Sequence, residues 1–392
     1  MSGGPAALPL EGIRVVDLSA IVLGPYASQN LADYGADVIK VEPPEGDSTR
    51  NTGPSTEAGM GAIFLGVNRG KRSVVLDLKQ PRDREALHAL VATADVLMHS
   101  IRPQKLAAIG LDPQALAARH PRLIYVGLHG FGEDGPYGGR PAYDDIIQGM
   151  AGGAALMQRQ SGDPLYFPTI AADKTCALVA THAILAALFA RERTGRGAYV
   201  EVPMFEAMAA FNLVEYFYGH HFSPPLADCG YPRVLAAHRR PYRTRDGFVC
   251  VMPYTDLHWR RFFQECGRRD AAADPRFANM GERTRHIGEL YALAADLLLT
   301  RTTAEWLEAC ERLEIPAARV NALDELESDP HLQATGFFRT LHDPAMGELR
   351  FPGPPVRIDR QPLPVRMAPR LGEHTAEVLA EIGFAPGDKD TG

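Results

Sequence analysis

Residues 13–42 read IRVVDLSAIVLGPYASQNLADYGADVIKVE, and this stretch decides the fold. Ile13–Leu18 is a short apolar run of strand character that closes on Asp17 and Ser19. Gly24-Pro25 marks the start of a helix over Leu23–Tyr34, because proline's preset φ and missing N–H suit a first helical turn. Gly35-Ala36-Asp37 then turns the chain into a second strand, Val38–Val41, ending at Glu42. Strand, helix and strand in that order form a βαβ unit, whose crossover demands parallel strands. The predicted class is α/β with a parallel sheet. Glu42 stands where a ribose-binding acid would stand, but no GxGxxG fingerprint precedes it, so a nicotinamide cofactor is not expected.

The alternation continues outward from that unit. Residues 43–60 are rich in Pro, Gly and Ser and predict a loop, read as a mobile cover for a site. Strands are predicted over Ser73–Leu78, Asp95–His99 and Leu123–Leu128, with a helix over Pro81–Thr93. Arg69, Lys71, Arg72 and Lys79 flank the first of these strands. Such charges either face solvent or hold phosphate oxygens, and the pattern leaves both open. After Leu128 comes HGFGEDGPYGGRP, a glycine-rich loop at a strand's C-terminal end, where parallel α/β sheets bind ligands.

At 392 residues the chain exceeds one ordinary domain, and two are expected. A net charge of -7 argues against a nucleic-acid partner. The five cysteines show no CxxC pair and the histidines no ligand cluster, so reduced thiols and no metal are expected. The N-terminus lacks the basic and apolar regions of a signal peptide, and no run of 18 apolar residues predicts a membrane span. A cytoplasmic location is the expectation that follows.

Asp173 precedes a segment, Lys174–Ala190, whose alanines and leucines at helical spacing predict a buried helix. Its carboxylate has two readings. It either caps the helix, accepting orphan N–H groups, or serves as a nucleophile or base in an apolar pocket. Local sequence does not separate them.

Several blocks in order make the chain resemble the class III CoA-transferases, a family that includes carnitine-CoA and formyl-CoA transferases and the alpha-methylacyl-CoA racemases. They are Gly12–Lys40 with VEPPEGD, NRGKRSVVLD at 68–77, Gly139–Gly153, Ile170–Asp173, and TGRGAYVEVPMFE at 194–206. The resemblance implies a large Rossmann-like parallel-sheet domain, a smaller α+β domain and an interlocked homodimer. It makes Asp173 the catalytic nucleophile and implies an acyl-CoA and a small carboxylic acid as partners, with the CoA thioester a substrate and no permanently bound cofactor. Val22, Leu23, Leu76, Lys79, Ser100, Ile101, Arg102, Lys105 and Tyr143 become the residues expected to hold the CoA ester. Gln148 with Gly149, Gly152 and Gly153 implies close backbone packing around the thioester. The racemase branch has histidine where this chain has Tyr143, and a phenol of pKa near 10 exchanges an α-proton poorly near neutral pH. The expected activity is therefore CoA transfer, with succinyl-CoA the suggested donor and a dicarboxylic acid the suggested acceptor. A 2-methylacyl-CoA racemase is the alternative.

The domain reading is 1–219 for the large domain, 220–325 for the small one, and 326–392 for a return segment. HHFSPPLADCGY at 220–231 supplies the first boundary as a shift in composition. Within the second domain, Asp246-Gly247 predicts a hairpin turn, and Trp259, Phe262, Phe263 and Trp306 predict a core. Arg239, Arg240, Arg243 and Arg245 crowd the hairpin's first arm, either as a solvated edge or as one fork for a distal carboxylate. Phe211, Tyr216 and Phe217 are read first as core or dimer contacts.

Overall fold

Six parallel strands form one sheet in the computed structural model, which describes residues 7–384. They are β1 (Arg14–Asp17), β2 (Asp37–Glu42), β3 (Arg72–Val75), β4 (Val96–His99), β5 (Ile124–His129) and β6 (Tyr199–Pro203). Their spatial order is β3-β2-β1-β4-β5-β6, with Val16 of β1 beside Ile39 of β2 and Leu97 of β4. β4 and β5 are buried along their whole length, as a parallel sheet covered on both faces requires. One face carries α1 (Leu23–Asp33) and the helix Ala171–Thr194, which join Ala27, Leu31, Cys176, Ala180 and Ile184 to Val15, Met98 and Val126. Leu87 and Leu90 pack with Val16, Ile39 and Leu97 on the other, and Val378 of the last helix, Thr375–Glu381, joins them. Val75 N–H donates to Thr375 Oγ1 at 3.0 Å, so the C-terminal segment ties itself to edge strand β3.

The chain divides into two compact units. One takes residues up to Ala155, Tyr166–Phe211, and from His331 onward; the other takes Leu156–Leu165 and Asn212–Pro330. The breaks expected after 219 and 325 thus fall after Phe211 and Pro330. The composition shift at His220 lies inside the second unit, to which Tyr216 already belongs. Its carbonyl accepts the N–H of Gly230 and the thiol of Cys229, each at 2.8 Å. That unit is α+β: β7 (Tyr242–Arg243), β8 (Phe248–Val251) and β9 (Ala317–Arg319) pair antiparallel beside a core built on Trp259, Phe262, Phe263, Tyr291 and Trp306. Within it, Arg243 lies over the Phe248 ring at 5.5 Å and Arg245 reaches Glu305 at 3.4 Å.

Two expectations are corrected here. Segment 43–60 is no mobile flap, because Asp47, Thr49 and Arg50 are buried and Arg50 grips Glu42 at 2.6 Å while lying 3.8 Å from the Phe64 ring centroid. Three of the charges around β3, those of Arg69, Lys71 and Arg72, are structural as well: Arg69 faces Asp33, and Arg72 binds Asp37, Glu377 and Glu381. Lys71 is fully buried and meets three acceptors, the Pro25 carbonyl and Asn68 Oδ1 at 2.8 Å and Asp17 Oδ2 at 3.4 Å. Three acceptors match the three N–H donors of an ammonium group. Lys71→Met would strand Asp17 without its partner and is expected to cost about 3–5 kcal/mol, read as a lower urea midpoint.

The helix Ala171–Thr194 also passes by length and hydropathy for a membrane span, which the sequence reading had excluded. Its buried face belongs to the core around the sheet, and core helices of this composition meet the same criterion.

Candidate active site

A cavity of about 510 Å³ opens at the C-terminal ends of β1, β4, β5 and β6. Ala20–Gly24 line it after β1, Ser100, Arg102 and Pro103 after β4, and Leu128–Phe131 at the end of β5. Gly139–Tyr143, Asp173 and Met204 complete the wall. The sheet grows leftward from β1 and rightward from β4, so the crossovers leave these two strand ends in opposite directions. That divergence opens a crevice where doubly wound sheets take their ligands.

Asp173 lies in the first turn of its helix, which begins at Ala171 with Ile170 as an N-cap that makes no side-chain bond. The capping alternative fails for this reason: among the described residues the Asp173 carboxylate caps no N–H. Its backbone N–H donates to Asp144 Oδ1 at 3.0 Å. Asp144 opens the helix Asp144–Met150 and also accepts from the Gln148 amide. Gln148 in turn donates to the Thr169 carbonyl at 3.0 Å and accepts from Phe167 N–H at 2.8 Å. This chain of bonds ties the approach 167–173 to the Asp144 helix. Burial, and then the nearby charge of Asp144, push Asp173 up to about 7. A helix N-terminus favours a carboxylate, but here desolvation outweighs it. The result is an acid whose ionised form is poorly solvated and free to attack a carbonyl.

The family model for CoA-transferase family III matches residues 10–375. The chain belongs to CoA-transferase family III. Among its curated relatives, the succinate–glutarate CoA-transferase of Agrobacterium fabrum is 36% identical over 95% of this chain and 96% of its own length. Succinyl-CoA:mesaconate CoA-transferase of Haloarcula hispanica is 32% identical over 96% and 97%. Among solved structures, a CAIB/BAIF family protein from Brucella suis superposes with a TM-score of 0.78 at 32% identity, covering 96% of this chain and all of that one.

For a family III enzyme, the residues expected at the CoA ester divide into two sets. Val22, Leu23, Ser100, Arg102 and Tyr143 line the cavity. Leu76, Lys79, Ile101 and Lys105 do not. Leu76 is a core residue whose side chain packs among Val41, Val74 and Leu87. Lys79 and Lys105 are exposed beyond the lining, and Ile101 donates its N–H to His99 Nδ1 while its side chain packs against the core that holds Leu97 and Leu106. Gly149, Gly152 and Gly153 also lie outside the lining. Gly153 is packed so closely that a Cβ would meet the Gln148 carbonyl and the Phe167 ring at 3.0 Å.

The glycines at the cavity are Gly24, Gly130 and Gly139, and the cations are Arg102 and Arg140. Arg140 lies 4.7 Å from the Tyr137 ring centroid. Sequence reasoning passed over Arg140 although it directly precedes PAYDD. His129 was also passed over: its buried ring has Nε2 3.0 Å from Glu133 Oε1, and burial holds it below the usual imidazole range. A Cβ at Gly24 would come within 2.0 Å of Ser19 Oγ and 3.0 Å of Leu128. Gly24→Ala is expected to distort the cavity wall at a cost of about 1–3 kcal/mol, read as about tenfold weaker acyl-CoA binding with the fold kept.

Proposed function

We propose that this enzyme moves CoA from succinyl-CoA to a second dicarboxylic acid, with Asp173 as nucleophile. The observation that carries this reading is the Asp173 carboxylate, without a side-chain partner among the described residues, on the wall of the switch-point cavity in a family III chain. The Asp173 carboxylate attacks the thioester carbonyl, the CoA thiolate leaves, and a mixed anhydride of succinate and Asp173 forms. The thiolate then attacks the aspartyl carbonyl and expels succinate, leaving an aspartyl-CoA thioester. The acceptor carboxylate displaces the thiolate to form a second anhydride, and the thiolate returns to the acceptor's carbonyl, freeing Asp173. Covalent catalysis thereby splits one exchange into steps of similar energy. The acceptor's class follows the relatives' names: glutarate and mesaconate are both diacids. Arg102 and Arg140 are the cavity's forks for carboxylate or phosphate oxygens.

A second copy of the chain is part of this proposal. Leu178, Phe189, Phe211 and Val214 are all more than half exposed on the helices Ala171–Thr194 and Met204–Tyr216, and such apolar side chains support a homodimer contact. The test of the activity is incubation with succinyl-CoA and one diacid at a time, followed by separation of the CoA esters. Appearance of a new diacid thioester with matched release of succinate is expected. Exchange of an α-proton without any new thioester would instead restore the racemase.

A further inference from the structure

Ile21 has φ +71°, a left-handed backbone that opposes a β-branched side chain. It belongs to the Ala20–Gly24 wall of the cavity. Strained residues persist only where their surroundings over-determine them, and they gather at functional sites. Asp17 holds Ser19 through its N–H at 2.8 Å, Ser100 Oγ accepts from Ala20 N–H at 3.4 Å, and a buried ion pair supplies the contacts to Ile21 N–H and the Ser19 carbonyl. Ile21 N–H donates to Asp47 Oδ2 at 3.2 Å. Lys40 Nζ donates to the same oxygen at 2.9 Å and to the Ser19 carbonyl at 2.9 Å. The pair therefore grips the backbone on both sides of Ala20. Lys40 is 1% exposed and Asp47 4%, and neither lines the cavity, so neither can touch a ligand there.

Asp47 is itself anchored. It accepts from Thr49 N–H at 2.9 Å, and its own N–H donates to Glu42 Oε2 at 3.0 Å. Burial alone would push its carboxyl up, but the Lys40 charge and the Thr49 N–H override this and hold it below its usual value. A glycine at position 21 would adopt this backbone without strain. The chain instead carries isoleucine and a clamp.

We propose that the Lys40–Asp47 ion pair positions the acyl-CoA site by holding Ser19–Val22 in the conformation that presents Val22, Leu23 and the start of α1 to the cavity. This rests on the cavity being the CoA-ester site, as argued above. The test is calorimetric binding of CoA to the full chain, with thermal melts on every variant. Asp47→Ala is expected to weaken CoA binding by about tenfold or more. Asp47→Asn, which keeps an acceptor for Ile21 N–H and is the milder change to folding, should fall between. In the I21G background, D47A should cost markedly less, since the left-handed conformation then needs no clamp. Asp33→Asn breaks a comparable buried pair, with Arg69, away from the cavity. It should leave CoA binding within about twofold whichever way the melting temperature moves, since burial raises the Asp33 carboxyl to about 6 and Asn mimics its protonated form.

Unchanged CoA binding in D47A, an equal loss in D33N, or an undiminished effect of D47A in the I21G background would each overturn the positioning role. Each would leave the transferase reading intact, provided that the wild type binds CoA. A wild type that binds no CoA would overturn both.

Discussion

Asp173→Ala is expected to lower CoA transfer by about 10⁴-fold or more, since removing a covalent nucleophile leaves only binding and positioning. CoA binding itself should survive, because the other cavity residues remain and, among the described residues, the Asp173 carboxylate makes no side-chain bond whose loss would unravel the wall. Intact mass provides the sharper readout. Wild-type protein incubated with succinyl-CoA should carry an adduct that hydroxylamine removes, as thioesters and anhydrides of an aspartate both react with it. D173A should carry none. An identical adduct on D173A would place the nucleophile elsewhere and remove the mechanism, whatever the activity.

The second large effect is on pH. In the proposed mechanism Asp173 must be ionised to attack, and its carboxyl is pushed up to about 7 by burial first and Asp144 second. Hence kcat/KM should rise as pH passes through about 7 and level off above it. Asp144→Asn keeps an oxygen for the Asp173 N–H but removes the like charge, so the rise should move to lower pH. It should stay above the ordinary aspartate value near 3.9, because burial is the larger cause and is unchanged. A midpoint unmoved in D144N would show that Asp144 acts only as a hydrogen-bond acceptor.

Stability follows with the opposite sign. A carboxyl whose folded-state value is raised favours the folded form while protonated, and that contribution fades as pH rises from about 4 through about 7. Asp173→Asn should therefore melt several degrees above the wild type at pH 8, with the gap closing toward pH 4. Such a gap would mark Asp173 as an acid kept at a cost in stability, which the proposed chemistry accounts for.

The amino-acid sequence by itself determined the local elements and the class. Ile13–Glu42 carried its βαβ reading because strand and helix periods, Gly24-Pro25 and the turn at Gly35 are short-range effects written in consecutive residues. The sequence also led to Asp173, and through the ordered blocks to the family, before any coordinate was known. What it left open were questions of partnership. Arg69, Lys71 and Arg72 looked equally fit for solvent or phosphate until the fold set against them Asp33 at the end of α1, Asp17 at the end of β1 and Asp37 at the start of β2. Leu76 and Leu23 are alike as leucines, yet one is sealed in the core and the other lines the cavity, because only the strand order decides which loop ends meet. Whether Asp173 was a cap or a free acid turned on where the helix began and on Asp144 reaching its N–H from 29 residues earlier in the chain. Periodicity and propensity act within a few residues, whereas burial and charge pairing depend on which distant segments the topology brings together.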